Sequence, residues 1–473
     1  MQTSDLHQFF EPSCVAIVGA RRSPGFGYGL PILLQRLGWG ERLRLVNPSG
    51  GELHGLPVYR RIADVPDPVD LAVVIVRAAA VPQVLDEIGA RGIRHVIIES
   101  AGFSEVDEEG WALQEEAKGI ARKHGLRVIG PNCVGVINTA NRFTTADILE
   151  EALTPGSTAI IAQSGVFGNI LMDMLYEYKL YISKVVTLGN RMDVNECDML
   201  DYLKGDENTR VIMAYLEGVS DGRLFKETLQ SVVAEKPVLI LKSGRTKEGR
   251  TATESHTGSL SGEDGLYDAV FAQTGAIRAN NLEELVEMTR VFSTQPPPAG
   301  NRLGVLTVSG SLGVLATDEA IKRGLSLPPV ASSTVDRLRR EAPDWMNVKN
   351  PLDIGPFERY ETALAAMMED SNFDMVLAIT VLPFAIYRRI KSQGFAGQTY
   401  FGDIASIRKS VPKKPLVVCA VGHSEFVFQM REVSGPDVPV FISPEPAVRA
   451  LAALHDYNAR KRTAVPLSWG RTT

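Results

Sequence analysis

Short apolar runs recur along the chain, each closed by Gly, Pro, Asn or Ser and separated from the next by a stretch of helical period. In the first third they are Val15-Ala16-Ile17-Val18-Gly19, residues 43–46, 71–76, 95–98 and 128–129. Between them Leu30, Leu33, Leu34 and Leu37, and residues 81–89 and 111–124, carry the helical pattern. Strands alternating with helices predict a parallel sheet covered on both faces.

The pattern restarts after residue 155. Apolar runs at 158–162, 184–188, 211–216 and 238–241 end in Gln163-Ser164-Gly165, Gly189-Asn190, Glu217-Gly218 and Lys242-Ser243-Gly244. The Pro-rich stretch Gln295-Pro296-Pro297-Pro298-Ala299-Gly300 reads as a linker. Beyond it, Leu303-Gly304-Val305-Leu306-Thr307-Val308-Ser309-Gly310 repeats the strand, Ser-Gly turn and helix start of residues 158–170 in the same register. The second and third segments therefore read as one duplicated α/β domain. The third lacks a counterpart of Ser255-His256-Thr257-Gly258 and reads as a partner-facing copy.

In parallel sheets ligands collect beyond the C-terminal strand ends. That rule gathers Gly19, Asn47, Ser100-Ala101 and Asn132 around one crevice and the four turns of the second segment around another. The Gly-rich turn Gly19-Ala20-Arg21-Arg22-Ser23-Pro24-Gly25-Phe26-Gly27 is suited to phosphate through backbone N–H groups at a helix start, with two cations beside it. It is not a G-x-G-x-x-G, which weighs against a nicotinamide dinucleotide. A plain Gly-rich connection and a solvated basic pair remain open for it.

Composition narrows the function classes. The 473 residues are 44% hydrophobic, with net charge −6 and both signs mixed along the chain, so no nucleic-acid footprint is expected. The start, Met1-Gln2-Thr3-Ser4-Asp5-Leu6, lacks a basic region followed by an apolar one, and no apolar run spans a bilayer, so neither export nor a membrane is expected. Four scattered cysteines, Cys14, Cys133, Cys197 and Cys419, form no C-x-x-C, fitting a reduced cytoplasm, buried free thiols and no metal.

Of seven histidines, His54, His95 and His124 read as structural. His256 stands apart, in what reads as a polar loop after a central strand, flanked by Ser255 and Thr257. A phosphorylated histidine needs N–H and hydroxyl donors around its oxygens and a carboxylate to orient the ring. Ser255, Thr257 and the 163–169 turn supply candidate donors, and Glu217, at a neighbouring strand end, a candidate carboxylate. A helix-capping or loop histidine is equally open on the residues alone.

Several motifs occur together: Val46-Asn47-Pro48, Ser100-Ala101-Gly102-Phe103, Gly130-Pro131-Asn132-Cys133, Gln163-Ser164-Gly165, Thr187-Leu188-Gly189-Asn190, Glu217-Gly218, Lys242-Ser243-Gly244-Arg245-Thr246, Ser255-His256-Thr257-Gly258 and Asn350-Pro351-Leu352-Asp353. With them, over about residues 8–460, the chain resembles the α subunit of the nucleoside-diphosphate-forming acyl-CoA synthetases and succinyl-CoA ligases. The resemblance implies an α/β fold: a Rossmann-like CoA-binding domain over 1–141, a flavodoxin-like ligase domain over 156–293 with the phosphohistidine loop, and a second such domain over 302–463 facing a partner. It implies the reaction acyl-CoA + phosphate + ADP ⇌ carboxylic acid + ATP + CoA, through an acyl phosphate and a phosphohistidine. His256 would carry the phosphoryl group and Glu217 pair with it. Gly19, Arg21, Arg22, Ser23, Gly25, Gly27, Asn47, Ser49, Arg77, Glu99, Ser100 and Ala101 would hold coenzyme A. Asn132, Gln163, Ser164, Gly165 and Asn169 would line the acyl and phosphate pocket. ATP or ADP with magnesium would sit on a separate ATP-grasp β subunit in a hetero-oligomer, and a small carboxylic acid would be the acyl partner.

Three departures stand out. Ser49 occupies a position that is usually basic, Arg77 replaces a proline, and Thr307-Val308-Ser309-Gly310-Ser311-Leu312 replaces a commoner Asn-Gly-Gly-Pro version. The alternatives are a non-catalytic CoA-binding regulatory subunit and a dinucleotide-dependent oxidoreductase.

Overall fold

The structure is a computed structural model that describes residues 3–25, 27–257, 262–340, 343, 346, 348–355, 359–393 and 401–463. It divides into two compact units, Met1–Leu285 and Val286–Thr473.

The first unit holds two sheets. One contains β1 (Val15–Val18), β2 (Leu43–Val46), β3 (Gly51–Leu53), β4 (Leu56–Tyr59), β5 (Leu71–Val74), β6 (His95–Ile98) and β7 (Arg127–Ile129), in the order β3-β4-β2-β1-β5-β6-β7. All neighbours are parallel except the edge pair β3–β4. Without β3 this is the doubly wound dinucleotide-fold order. Every residue of β1, β5 and β6 is buried, as the uninterrupted apolar runs require. Each Val or Ile so buried contributes about 1.5–3 kcal/mol.

The second sheet contains β8 (Gly135–Asn138), β9 (Phe143–Thr144), β10 (Thr158–Ala162), β11 (Ile182–Thr187), β12 (Val211–Leu216), β13 (Val238–Lys242) and β14 (Ile277–Ala279), in the order β14-β13-β12-β10-β11-β8-β9. The five strands β10 to β14 run parallel in flavodoxin order. Strands β8 and β9 extend this sheet antiparallel beside β11. Residues 135–139, inside the span 1–141 expected for the first domain, thus hydrogen-bond into the second sheet. The pattern could not show this, because a short apolar run does not name its neighbour.

The second unit holds β15 (Leu303–Thr307), β16 (Leu352–Asp353), β17 (Met375–Val381), β18 (Leu416–Val421) and β19 (Val440–Phe441), in the order β16-β15-β17-β18-β19, all parallel. Counted from its own first strand this is the order of β10 to β14, so the duplicated pattern is a duplicated topology. Its core gathers Leu306, Leu352, Met367, Val376, Val418 and Met430, all buried. No helix among the described residues is long and apolar enough to cross a membrane.

Residues read as a loop after β13 fold differently. A helix spans Lys247–Thr257, started by Thr246, whose Oγ1 accepts from Gly249 N at 3.0 Å. The backbone of Ser255-His256-Thr257 lies on its last turn. The side chains of residues 254–257, and residues 258–261, lie outside the described residues. The three histidines read as structural are so placed: His95 Nε2 lies 2.7 Å from Asp5 O, His124 Nε2 lies 2.7 Å from Asp86 Oδ1, and His54 sits in a left-handed turn with φ 53°.

Candidate active site

The first sheet reverses its strand order between β1 and β5, where a doubly wound fold opens its crevice. Gly19 follows β1 with φ 101°, and a Cβ there would lie 2.3 Å from the Ile75 carbonyl oxygen. Only glycine permits that approach. Asn47, after β2, donates from Nδ2 to Ala20 O at 2.9 Å and accepts at Oδ1 from Ser49 N and Oγ, at 3.0 and 2.7 Å. Arg22 reaches across to this turn. Its Nη1 donates to Ser49 Oγ at 2.7 Å and its Nη2 to Gly50 O. A guanidinium therefore stands beside the serine that replaces a basic residue. Gly25, with φ 151°, leaves room for the Arg21 guanidinium, which a Cβ would meet at 2.7 Å.

A cavity of about 1010 Å³ opens from this crevice. Gly19, Arg21, Asn47, Arg77, Glu99, Ser100 and Ala101 line it from the first sheet. Asn132, from the turn after β7, and Gln163, Ser164 and Gly165, from the turn after β10, also line it. The residues proposed for coenzyme A and those proposed for phosphate thus share one space. Arg22, Ser23, Gly25, Gly27, Ser49, Asn169 and Glu217 are not among its lining residues, while Cys133, Val134 and Val166, which the sequence did not assign to the site, are.

Hydrogen bonds fix the cavity walls to one another. Asn132 N donates to Ser100 O at 2.9 Å, Asn190 N to Pro131 O at 2.9 Å, and Asn190 Nδ2 to Glu105 Oε2 at 2.7 Å. Burial would raise the Glu105 carboxyl, but Asn190 and the amides of Gly102 and Phe103 hold it below the usual carboxylate range. The helix Gly165–Glu177 begins against this wall: a Cβ on Gly165 would meet Val134 Cγ2 at 2.6 Å. Among the described residues no side chain caps its first turn, and its first residues, Gly165 and Val166, line the cavity. Its dipole and N–H groups suit an anion there.

Gln163 has a role in the turn beside it that the sequence did not show. Its Oε1 accepts from Glu217 N at 2.6 Å and Gly218 N at 3.1 Å, and its Nε2 donates to Gly218 O at 2.7 Å. Gln163 lines the cavity as expected, and its side-chain amide also fixes the Glu217–Gly218 turn. Behind it lies a buried ion pair absent from the sequence reading. Arg191 Nη1 donates to Glu196 Oε2 at 3.1 Å and to Gly218 O at 2.9 Å, with the two side chains 4% and 2% exposed. Gln163 Nε2 also donates to Glu196 Oε2, at 3.3 Å. The only sequence signal was a cation two residues after the Gly189 turn and an acid five further on. Glu217 itself is buried at the end of β12. Asn169 sits one turn into the helix, its Oδ1 buried without a hydrogen-bond partner among the described residues.

Burial also shapes the titration of the site. The Glu99 side chain follows β6, is 4% exposed, and is pushed well above the usual carboxylate range by desolvation, against a hydrogen bond from Thr145. Cys133 is pushed up by its own burial and then by the charge of Glu99. Lys242, at the end of β13, lies with Nζ 4.5 Å from the Tyr267 ring centroid, and burial lowers it to about 8.

A CoA-binding domain model matches residues 13–139 and a succinyl-CoA ligase-like flavodoxin domain model residues 155–292. The fold and cavity define a CoA-binding, ligase-type α/β protein. Among curated relatives, the ADP-forming acetate–CoA ligase II of Archaeoglobus fulgidus is 36% identical over 472 residues, 97% of this chain and 68% of that protein. The α subunit of ADP-forming acetate–CoA ligase I of Pyrococcus furiosus is 35% identical, over 96% of this chain and 98% of its own. A solved dinucleotide-forming acetyl-coenzyme A synthetase 1 of Ca. Korarchaeum cryptofilum, in complex with phosphate and ADP, superposes with TM-score 0.85 at 31% identity, covering 97% of both chains. The chain belongs to the ADP-forming acetate–CoA ligase family.

Proposed function

We propose that this chain is the α-type component of an ADP-forming acyl-CoA synthetase. It binds coenzyme A or acyl-CoA in the β1–β5 crevice and exchanges the acyl group between sulfur and phosphate in the adjoining cavity. The acyl phosphate then transfers its phosphoryl group to His256, with Glu217 as the partner of the charged ring. A separate ATP-grasp subunit holding ADP or ATP and magnesium completes the reaction, and the chain works in the cytoplasm. The observation that carries this reading is the single cavity in which the crevice of a dinucleotide-type sheet meets the uncapped start of Gly165–Glu177. A thiol-ended cofactor with anionic phosphates matches the first part, and inorganic phosphate the second.

The residues present fit coenzyme A. Arg21 and Arg77 line the cavity with cations, Arg22 stands beside Ser49 next to it, and Ala101, Val134 and Ile75 offer apolar wall to a pantetheine arm. When bound it supplies the thiol that carries the acyl group. Acetate is the acid named for these two relatives and is the first acid to test.

Incubation of the chain with acetyl [³²P]phosphate, followed by denaturing gel and acid treatment, tests the carrier role. Acid-labile, base-stable label on wild type that is absent from His256→Ala is expected. Label of equal intensity on His256→Ala would remove His256 from the mechanism. CoA binding without any label on wild type would favour the regulatory-subunit reading.

A further inference from the structure

Glu99 is a carboxyl that the fold places inside the cavity at a structural cost. It is 4% exposed, lines the cavity, and its Oε1 has no hydrogen-bond partner among the described residues. A buried carboxyl left short of partners is costly, and such groups persist where they serve a ligand. The charged or titratable groups lining the cavity are Arg21, Arg77, Cys133 and Glu99 itself. The arginines stand on the turns after β1 and β5, toward the crevice. Cys133 is spoken for: its Sγ donates to Ile98 O at 3.3 Å.

The position along the cavity is specific. Ser100 O holds Asn132 N, and the Cys133–Val134 turn packs on Gly165 at the helix start. Glu99 therefore lies on the wall between the arginine end, suited to the phosphates of coenzyme A, and the helix N-terminus, suited to inorganic phosphate. The reacting thiol and acyl carbon must meet between those two ends.

Resting on the proposed acyl-CoA synthetase function, we infer that Glu99 is the catalytic residue that exchanges a proton with the sulfur of coenzyme A. In thioester formation the sulfur attacks the carbonyl carbon of the acyl phosphate. The S–C bond forms, the C–O bond to phosphate breaks, phosphate leaves with the electron pair, and the thiol proton passes to the Glu99 carboxylate. In the reverse direction a phosphate oxygen attacks the thioester carbon, the C–S bond breaks, and sulfur takes the pair and the proton of the Glu99 carboxyl. Proton exchange is most effective between groups of similar acidity, and burial moves Glu99 from the carboxylate range toward that of a thiol.

Glu99→Gln keeps the shape and a hydrogen-bonding head but cannot carry the proton. Two half-reactions of the full chain separate its role from structure. Acetyl-CoA formation from acetyl phosphate and CoA needs the sulfur proton moved. Labelling of the chain by acetyl [³²P]phosphate does not. In Glu99→Gln the first is expected to fall by about 10²–10⁴-fold while the second stays near wild type. Thioester formation retained near the wild-type rate, or both half-reactions falling by the same factor, overturns the proton-transfer role alone. A wild-type chain that forms no acetyl-CoA from acetyl phosphate overturns this role together with the function it rests on.

Discussion

The Arg191–Glu196 pair sets a quantitative test of how the Glu217 turn is held. Arg191→Met removes a guanidinium that serves both Glu196 Oε2 and Gly218 O, at 3.1 and 2.9 Å. It leaves the Glu196 carboxylate 2% exposed with Gln163 Nε2, at 3.3 Å, still donating to it. Breaking one side of a buried pair costs about 3–5 kcal/mol, mostly the penalty of the charge left behind. Replacing both partners by apolar groups of like shape is often near neutral. Arg191→Met is therefore expected to lower the melting temperature of the first unit by roughly 6–20 °C, and Arg191→Met/Glu196→Leu to recover most of that loss. Calorimetry of the two single variants, the double variant and wild type gives the coupling directly. Labelling by acetyl phosphate should not recover in the double variant, because Gly218 O has still lost one of its two side-chain donors and Gln163 one acceptor. Additive losses in the double variant, or a single-variant loss below about 1 kcal/mol, would refute the buried-pair reasoning. Full labelling activity in the double variant would show that the pair does not position the turn.

Three further outcomes follow from the geometry. Gly19→Ala places a methyl 2.3 Å from the Ile75 oxygen at φ 101°, so CoA binding measured by calorimetry should be lost and the melting temperature should fall. Arg22→Ala should weaken CoA binding by about tenfold, and the loss should shrink as salt is raised; unchanged affinity would return the phosphate contact to other residues. In the second unit, burial would raise the Asp374 carboxyl, but Arg302, donating from Nε and Nη2 at 2.9 and 2.8 Å, and its backbone N–H hold it below the usual range. A depressed carboxyl stabilises above its unfolded pKa and loses that contribution as pH falls through the folded value. Wild type should thus lose stability below about pH 4 more steeply than Asp374→Asn, read as the urea midpoint against pH.

Much of the fold was legible because parallel sheets buried on both faces write themselves as uninterrupted apolar runs. Residues 158–162 and 303–307 showed the duplication because each run ended in the same Ser-Gly turn, and the two sheets share one strand order. The strand-end rule also gathered Gly19, Asn47, Ser100 and Asn132, which line one cavity, but it assigned the turn at Gly165 to a separate crevice, and the structure shows it lining the same one. The helix over Lys247–Thr257 was misread as loop: Gly249 and many polar residues masked a segment that Thr246 starts.

Sequence alone determined which residues stand at strand ends, because that depends on local apolar runs and the turns that close them. Tertiary structure alone decided what those residues touch. It made the Gln163 amide the clasp of the Glu217 turn, and it set Arg22, 27 residues away, beside Ser49. It buried Arg191 against Glu196 and left Glu99 inside the cavity with an oxygen still unpartnered among the described residues. Such contacts are set by the approach of separate elements, and the energy of a charge or hydrogen bond depends on burial that no local pattern records.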